Sequence, residues 1–247
     1  MKKIILALLC TNLLLAAVVD ENFYKPIDKP KHLINTTNKE SASMLFGVDA
    51  GSLGGGFSIS LKLSDYMQTR YNYNSLSFSK NGVYDAKKLP YFARTNLYNQ
   101  GFIIDYFPFK DLSLHLSTGL YKNKNRVDSK ILPKENAVKI GDKKYTFDLL
   151  QKVNTKVKFR NVSPYIGLGL GGKIDKVGIG WSLDAGVLFH GQPKVDMSPV
   201  YGIDAQNSPN IQEAINQEVE KEKYKLTQKI RKYKYYPVVK FGLNYSF

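Results

Sequence analysis

From residue 43 onward, most of the chain alternates apolar and polar residues with a period of two, the signature of an extended strand with two unlike faces. The pattern is cleanest at the end. In YYPVVKFGLNYSF, Pro237, Val239, Phe241, Leu243, Tyr245 and Phe247 share one face, while Tyr236, Val238, Lys240, Gly242, Asn244 and Ser246 share the other. Seven earlier stretches read the same way. MLFGVDAGS begins them at Met44; after a tight turn in GSLGGG, FSISLKLS sets Phe57, Ile59, Leu61 and Leu63 against Ser58, Ser60, Lys62 and Ser64. MQTRYNYNSLSFS sets Tyr71 and Tyr73 against Arg70, Asn72 and Asn74, but its later Leu76 and Phe78 fall in the opposite phase, which predicts a bulge near Ser75. RTNLYNQGFIIDYF, LSLHLSTGLY, VKFRNVSPYIGLGLGG and IGWSLDAGVLFHG complete the set.

Between these strands, the short connections SDY, PFKD and KIDKVG alternate with long ones: a polar loop at 79–93, a lysine-rich loop at 122–154 and an insert at 196–233. An even strand count, with short turns on one side and long loops on the other, is the pattern of an outer-membrane barrel with both termini on the periplasmic side. The first external connection, GSLGGG, is the short exception. Within 122–154, VKIGDKKYTF predicts a small hairpin about Gly141 and Asp142. The insert carries a helix over about 208–232. Ser208 is placed to cap it and Pro209 suits its first turn, while Ile211, Ile215, Val219, Leu226 and Ile230 recur at spacings of four and seven among Glu and Lys. Most of that helix's charge reads as a solvated face; a partner-binding helix is the other reading.

The N-terminus changes the picture by adding a route out of the cell. Lys2 and Lys3, the apolar run Ile4 to Leu15, then Ala16 and Ala17 read as a secretory signal over 1–17, too short to span a bilayer as a helix. The only cysteine, Cys10, lies inside it and lacks the small preceding residue of a lipoprotein site, so the mature chain has no disulfide, thiolate ligand or cysteine nucleophile. Residues 18–42, polar and broken by X-Pro pairs, read as a flexible N-terminal segment before a barrel at 43–247. Seventeen Tyr and 13 Phe against one Trp suit aromatic girdles. The formal charge of +15, in an exported chain without a nucleic-acid motif, points to lipopolysaccharide or anionic solutes rather than nucleic acid.

Alternation also assigns an interior. Asp49, Lys62, Arg70, Asp105, His115, Asp184 and Lys240 share the predicted lumen, a nearly balanced set. As direct ion pairs they form a plug that rigidifies a closed barrel; with water between them they form a ladder that guides small charged solutes. At the loop end, Lys122, Lys124, Arg126, Lys130, Lys134, Lys139, Lys143 and Lys144 make a basic extracellular rim suited to lipopolysaccharide phosphates. Phe241, Leu243, Tyr245 and Phe247 form a C-terminal aromatic strand of the kind that serves as a barrel-assembly signal. Gly167, Gly169 and Gly172 satisfy GxGxxG, but a strand rather than a helix follows, so they are read as making room inside a narrow barrel. His115 has Ser113 and Ser117 on its own face without an identifiable acidic orienter, and neither an enzyme nor a metal site is expected.

VSPYIGLGLGGKIDKVGIGWSLDAGVLFHGQPKVDM, the helix-bearing insert and the closing PVVKFGLNYSF resemble the carbapenem-associated outer-membrane porins, and more broadly the opacity and surface-antigen group of eight-stranded barrels. Tyr165, Gly167, Gly169, Gln192, Pro193, Lys194 and Val195 carry the likeness, which is best over roughly the last ninety residues. The resemblance implies small barrels that take up ornithine and other basic amino acids. The reading is therefore an all-β, eight-stranded antiparallel transmembrane β-barrel with a helix in its last extracellular loop, a monomer without cofactors. It is expected in the cell outer membrane, with lipid, lipopolysaccharide and the barrel-assembly machinery as partners. Its function is a narrow channel for small charged solutes such as amino acids, gated by the loops at 122–154 and 196–233, or else a closed structural or adhesive surface barrel acting through those loops.

Overall fold

A computed structural model describes residues 42–84, 89–131, 137–140 and 143–247; the predicted signal and almost all of the N-terminal segment lie outside them. In chain order the strands are β1 (Met44–Gly51), β2 (Gly54–Ser64), β3 (Met67–Tyr84), β4 (Leu89–Tyr106), β5 (Leu114–Asn123), β6 (Arg126–Ile131), β7 (Ala137–Ile140), β8 (Lys143–Thr146), β9 (Leu150–Lys158), β10 (Val162–Gly171), β11 (Gly178–Leu188), β12 (Lys194–Tyr201) and β13 (Tyr236–Ser246). Among the described residues two helices, α1 (Ile203–Gln206) and α2 (Pro209–Ile230), precede β13. No helix among the described residues is long and apolar enough to cross a membrane.

Eight strands close on themselves. β1, β2, β3, β4, β5, β10, β11 and β13 pair antiparallel in that order, and β13 returns to β1 with Ala50 opposite Phe241 and Phe46 opposite Tyr245. β5 and β10 have 10 residues each and β11 and β13 have 11, lengths that tilted strands need to cross a bilayer. Burial confirms the phases read from the sequence. Outward Val48, Phe102, Leu116, Leu120, Ile166, Leu168, Trp181, Phe241 and Leu243 are exposed, while the alternate positions are buried or half-buried. An apolar belt of that extent on a folded surface requires an apolar solvent around it.

Three expectations are corrected. The polar loop at 79–93 is largely strand, because β3 and β4 run on as one hairpin from Met67↔Tyr106 to Tyr84↔Leu89. There is no bulge at Ser75: the register passes through Ser75↔Tyr98 and Leu76↔Leu97 unbroken. The lysine-rich loop and the insert also contain strands, β6, β9 and β12, that extend the wall into the order β3-β4-β6-β9-β12.

These outer strands continue the barrel strands beneath them. Asn99 faces Asn123 in β4–β5 and Asn96 faces Arg126 in β4–β6, so one register is carried from β5 into β6. Likewise Val162 faces Lys122 and Lys158 faces Arg126, which makes β9 the upward extension of β10. One side of the wall therefore rises above the belt as a five-stranded palisade. Its inner face carries Val153, Val157, Val195 and Met197, and α2 packs there through Ile215, Val219, Leu226 and Ile230. The helix buries its apolar stripe on the side of the wall that continues the lumen lining, while Glu213, Glu220, Lys221, Lys225 and Lys229 stay exposed as its charged face. Ser208 begins α2 but contributes no side-chain cap; its carbonyl accepts from Ile211 and Gln212 at 3.0 and 3.1 Å. β7 and β8 pair as the predicted hairpin, with Ala137 opposite Thr146; residues 141–142 between them lie outside the described residues.

Candidate functional site

The lumen is filled in two layers. Towards the short-turn end lies an ionic cluster. Arg70 on β3 donates from Nη2 to Asp105 Oδ1 on β4 and to Asp184 Oδ1 on β11, and from Nη1 to Asp184 Oδ2, each at 2.9 Å. A guanidinium suits this place because its planar fork can serve two carboxylates at once. Ser117 on β5 donates to Asp105 Oδ1 at 2.5 Å, and Gln68 donates to Asp105 Oδ2 at 3.4 Å and to the Gly172 carbonyl at 2.9 Å. His115 on β5 sets Nε2 3.2 Å from Asp184 Oδ1 and Nδ1 3.3 Å from the Ser113 carbonyl, its ring against Phe107. Arg70, Asp105, Asp184 and His115 are all buried.

A second group stands beside the first. Lys240 Nζ on β13 lies 3.9 Å from Asp49 Oδ2 on β1, and Asn74 donates to the other Asp49 oxygen. Asn72, with its carbonyl oxygen turned towards Lys240, accepts from that ammonium and from the Tyr121 hydroxyl at 3.2 Å. Towards the loop end the filling becomes apolar: Leu53, Ile103, Tyr121, Tyr165, Leu188, Tyr236 and Val238 pack as one buried cluster, with Tyr121 and Tyr165 edge to face at 5.5 Å. Tyr236 donates to the Ser52 carbonyl at 2.5 Å and so ties the first external turn over this layer. At the opposite end Phe107 and Ile174 are buried.

Small residues make the filling fit. A Cβ on Gly169 would fall on the His115 ring and within 2.9 Å of Asp184 Oδ1, while one on Gly167 would meet the Tyr165 ring and the Ala185 carbonyl. Gly167 and Gly169 are therefore a steric allowance for lumen side chains, as the sequence context implied, whereas Gly172, at φ 63°, lies just past β10 where the chain leaves the strand. His115 does have acidic neighbours, contrary to the sequence reading. Yet both of its ring nitrogens face acceptors, and the nearby Ser117 hydroxyl is engaged by Asp105.

Six of the seven residues assigned to the lumen are brought together there. Lys62 is the exception. It has the inward phase but sits at the turn-end rim, where it pairs with Asp65 at 3.0 Å and holds that carboxyl below the usual carboxylate range. The basic rim divides. Lys122, Lys124, Arg126 and Lys130 all take the outward phase of β5 and β6, whereas Lys143 belongs to the β7–β8 hairpin and lies 3.9 Å from Glu218 on α2. Lys221 donates to the same Glu218 at 2.9 Å, holding that carboxyl low. Lys134 lies outside the described residues. Lys139 lies on β7 and Lys144 on β8. Phe241, Leu243, Tyr245 and Phe247 all face outward, and the last two stack at 6.3 Å.

Above the lumen, His190 is buried with its ring 4.4 Å from that of Phe159, and burial pulls its pKa down to about 4. Sequence reasoning missed Arg94, Lys156, Lys158 and Lys194, which are exposed on the outer face of the palisade. Their signal was present: Val153, Thr155 and Val157 alternate with Lys152, Asn154, Lys156 and Lys158.

No protein-family model matches the chain, and no curated protein matches it. The fold has solved counterparts. The crystal structure of Acinetobacter baumannii CarO2 superposes with a TM-score of 0.52 and 17% identity over 84% of this chain and 100% of that one. The crystal structure of Acinetobacter baumannii CarO gives 0.48 and 19% over 85% and 100%. The CarO2 match shows that this chain shares the fold of a carbapenem-associated outer-membrane protein, the group its sequence resembles.

Proposed function

We propose that this chain is an outer-membrane β-barrel, without enzymatic activity, whose lumen is shut at rest and whose working surface is the palisade and helix beyond the membrane. Placement in the outer membrane is supported by the apolar belt, the C-terminal aromatic strand and the signal-like N-terminus. In that membrane the short turns face the periplasm and the palisade faces outward. Lipopolysaccharide and the barrel-assembly machinery are the corresponding partners. The observation that carries the closed state is the two-layer filling: direct Arg70–Asp105 and Arg70–Asp184 pairs below and a packed Tyr121–Tyr165 layer above.

A second reading, a narrow channel for small charged solutes such as amino acids, is supported by the ionic character of the lower layer. Conduction on that reading requires Arg70 to leave both carboxylates and the tyrosine layer to part, so it is an activated event. Proteoliposome swelling in arginine, glutamate and glycine separates the two readings. The closed reading expects rates equal to those of protein-free liposomes for all three solutes. Fast swelling with one charged solute would establish the channel and overturn it.

A further inference from the structure

The outer face of the palisade has a composition that neither lumen filling nor helix packing explains. Because the register runs without slip from β3 and β4 into β6 and β9, the phase that faces lipid below is the phase that faces outward above. Along β4 it passes from Ile104 and Phe102, through Gln100 and Tyr98, to Asn96 and Arg94. Along β5 and β6 it passes from Leu116 and Leu120 to Lys122, Lys124 and Arg126.

The cations on this face are aligned across strands. Arg126 pairs with Lys158 and Lys158 with Lys194, so three cations stand side by side on β6, β9 and β12, at the roughly 5 Å spacing of neighbouring strands. Lys156 and Arg94 belong to the next row of the same face, where Arg94 faces Asp128. Arg126 lies 3.2 Å from Asp128 and Lys158 lies 3.7 Å from Asp196. Those two carboxylates are outnumbered by six exposed cations: Arg94, Arg126, Lys130, Lys156, Lys158 and Lys194. Like charges directly opposite one another destabilise a sheet, so an anion placed across the row would relieve repulsion as well as gain attraction. At the lower edge Tyr73 and Tyr98 meet edge to face at 5.5 Å, with Lys124 5.6 Å above the Tyr98 ring, an aromatic boundary of the kind found at a membrane surface.

We infer that this face is a binding site for a phosphorylated glycolipid of the surrounding outer leaflet. Its acyl chains would lie on Phe102, Leu120 and Val162 and its phosphates on Arg126, Lys158 and Lys194. The inference rests on the outer-membrane reading, with its lipopolysaccharide partner, and adds the place where that lipid is held, on one side of the barrel along strands β6, β9 and β12. Guanidinium and ammonium groups aligned above an apolar wall match a ligand with anionic head and apolar tail; a soluble anion would leave the wall unused.

The test uses the full mature chain refolded in detergent micelles and titrated with bis-phosphorylated lipid A, with its dephosphorylated form as the second probe, by native mass spectrometry. A variant carrying Arg126→Gln, Lys156→Gln, Lys158→Gln and Lys194→Gln is compared with a control carrying Lys225→Gln, Lys229→Gln, Arg231→Gln and Lys232→Gln on and beside α2. Tighter binding of the phosphorylated lipid, weakened at least tenfold in the palisade variant and less than twofold in the control, supports the site. Equal losses in the two variants, or no preference for the phosphorylated lipid, overturn it. Heat-modifiable mobility after refolding into zwitterionic vesicles reports on the membrane reading alone. A chain that never inserts there defeats the outer-membrane reading itself; one that inserts but shows no lipid preference defeats only the site.

Discussion

The wall built on β3 and β4 keeps one register from its lower half, beside β5, to its upper half, beside β6 and β9, but the two halves have opposite polarity. Below, Phe102, Leu116 and Leu120 face out while Asp105, His115 and Ser117 face in; above, Arg94, Arg126 and Lys158 face out while Thr95, Val127 and Val157 face in. The difference lies in what each face meets. In the membrane half the outside is hydrocarbon and the inside is a narrow polar space; beyond it the outside is water and headgroups, and the inside is the apolar stripe of α2. A strand does not need a bulge to reverse its chemistry when its surroundings reverse, and the crossover on each strand marks the membrane boundary.

The comparison breaks most sharply at Arg70. Arg70→Met leaves Asp105 and Asp184 without their cation in the buried half, and the expected loss is about 3–5 kcal/mol of barrel stability, read from urea unfolding followed by tryptophan fluorescence. Charge on the belt should be tolerated according to height. Leu116→Arg is expected to cost about 2–4 kcal/mol and Tyr98→Arg about 0–1 kcal/mol, measured by the same unfolding in phospholipid vesicles; equal costs would put the boundary elsewhere. Gly169→Ala drives a methyl group into the His115 and Asp184 side chains and is expected to cost about 1–3 kcal/mol, whereas Gly178→Ala meets no neighbouring atom and, at φ 148°, suffers only backbone strain.

A different kind of effect concerns pH. His190 is held at about 4 by burial, against 6.5 when free, so between those values the unfolded chain binds a proton that the folded chain refuses. Stability is unaffected by this group above about 6.5 and falls as pH drops from 6.5 towards 4. His190→Phe should flatten that part of a stability–pH profile, and an unchanged slope would show that another group is responsible.

The membrane half was legible in the sequence because lipid outside and polar space inside force a strict period of two, so Asp105, His115, Asp184 and Lys240 could be placed from their phase alone. The palisade was not, because the same alternation there is interrupted at 124–125, 159–161 and 189–193 and is dense in lysine, which reads as loop. Leu76 and Phe78 were the available clue: their opposite phase signalled a change of solvent, and a bulge was the wrong explanation for it. Pairing within the lumen depends on which side chains meet across the barrel. Lys62 has the right phase but the wrong height, and phase alone cannot give height.

The most direct test of the closed, ion-locked lumen is single-channel recording of the refolded mature chain in a planar bilayer, beside Arg70→Ser and the double variant Arg70→Ser, Tyr121→Ala. The account predicts a silent wild type and reproducible unitary steps only once both layers are opened in the double variant. Steady unitary conductance from the wild type would contradict it, and a shift of its ion selectivity in Asp105→Asn or Lys240→Gln would place the open path through the lumen.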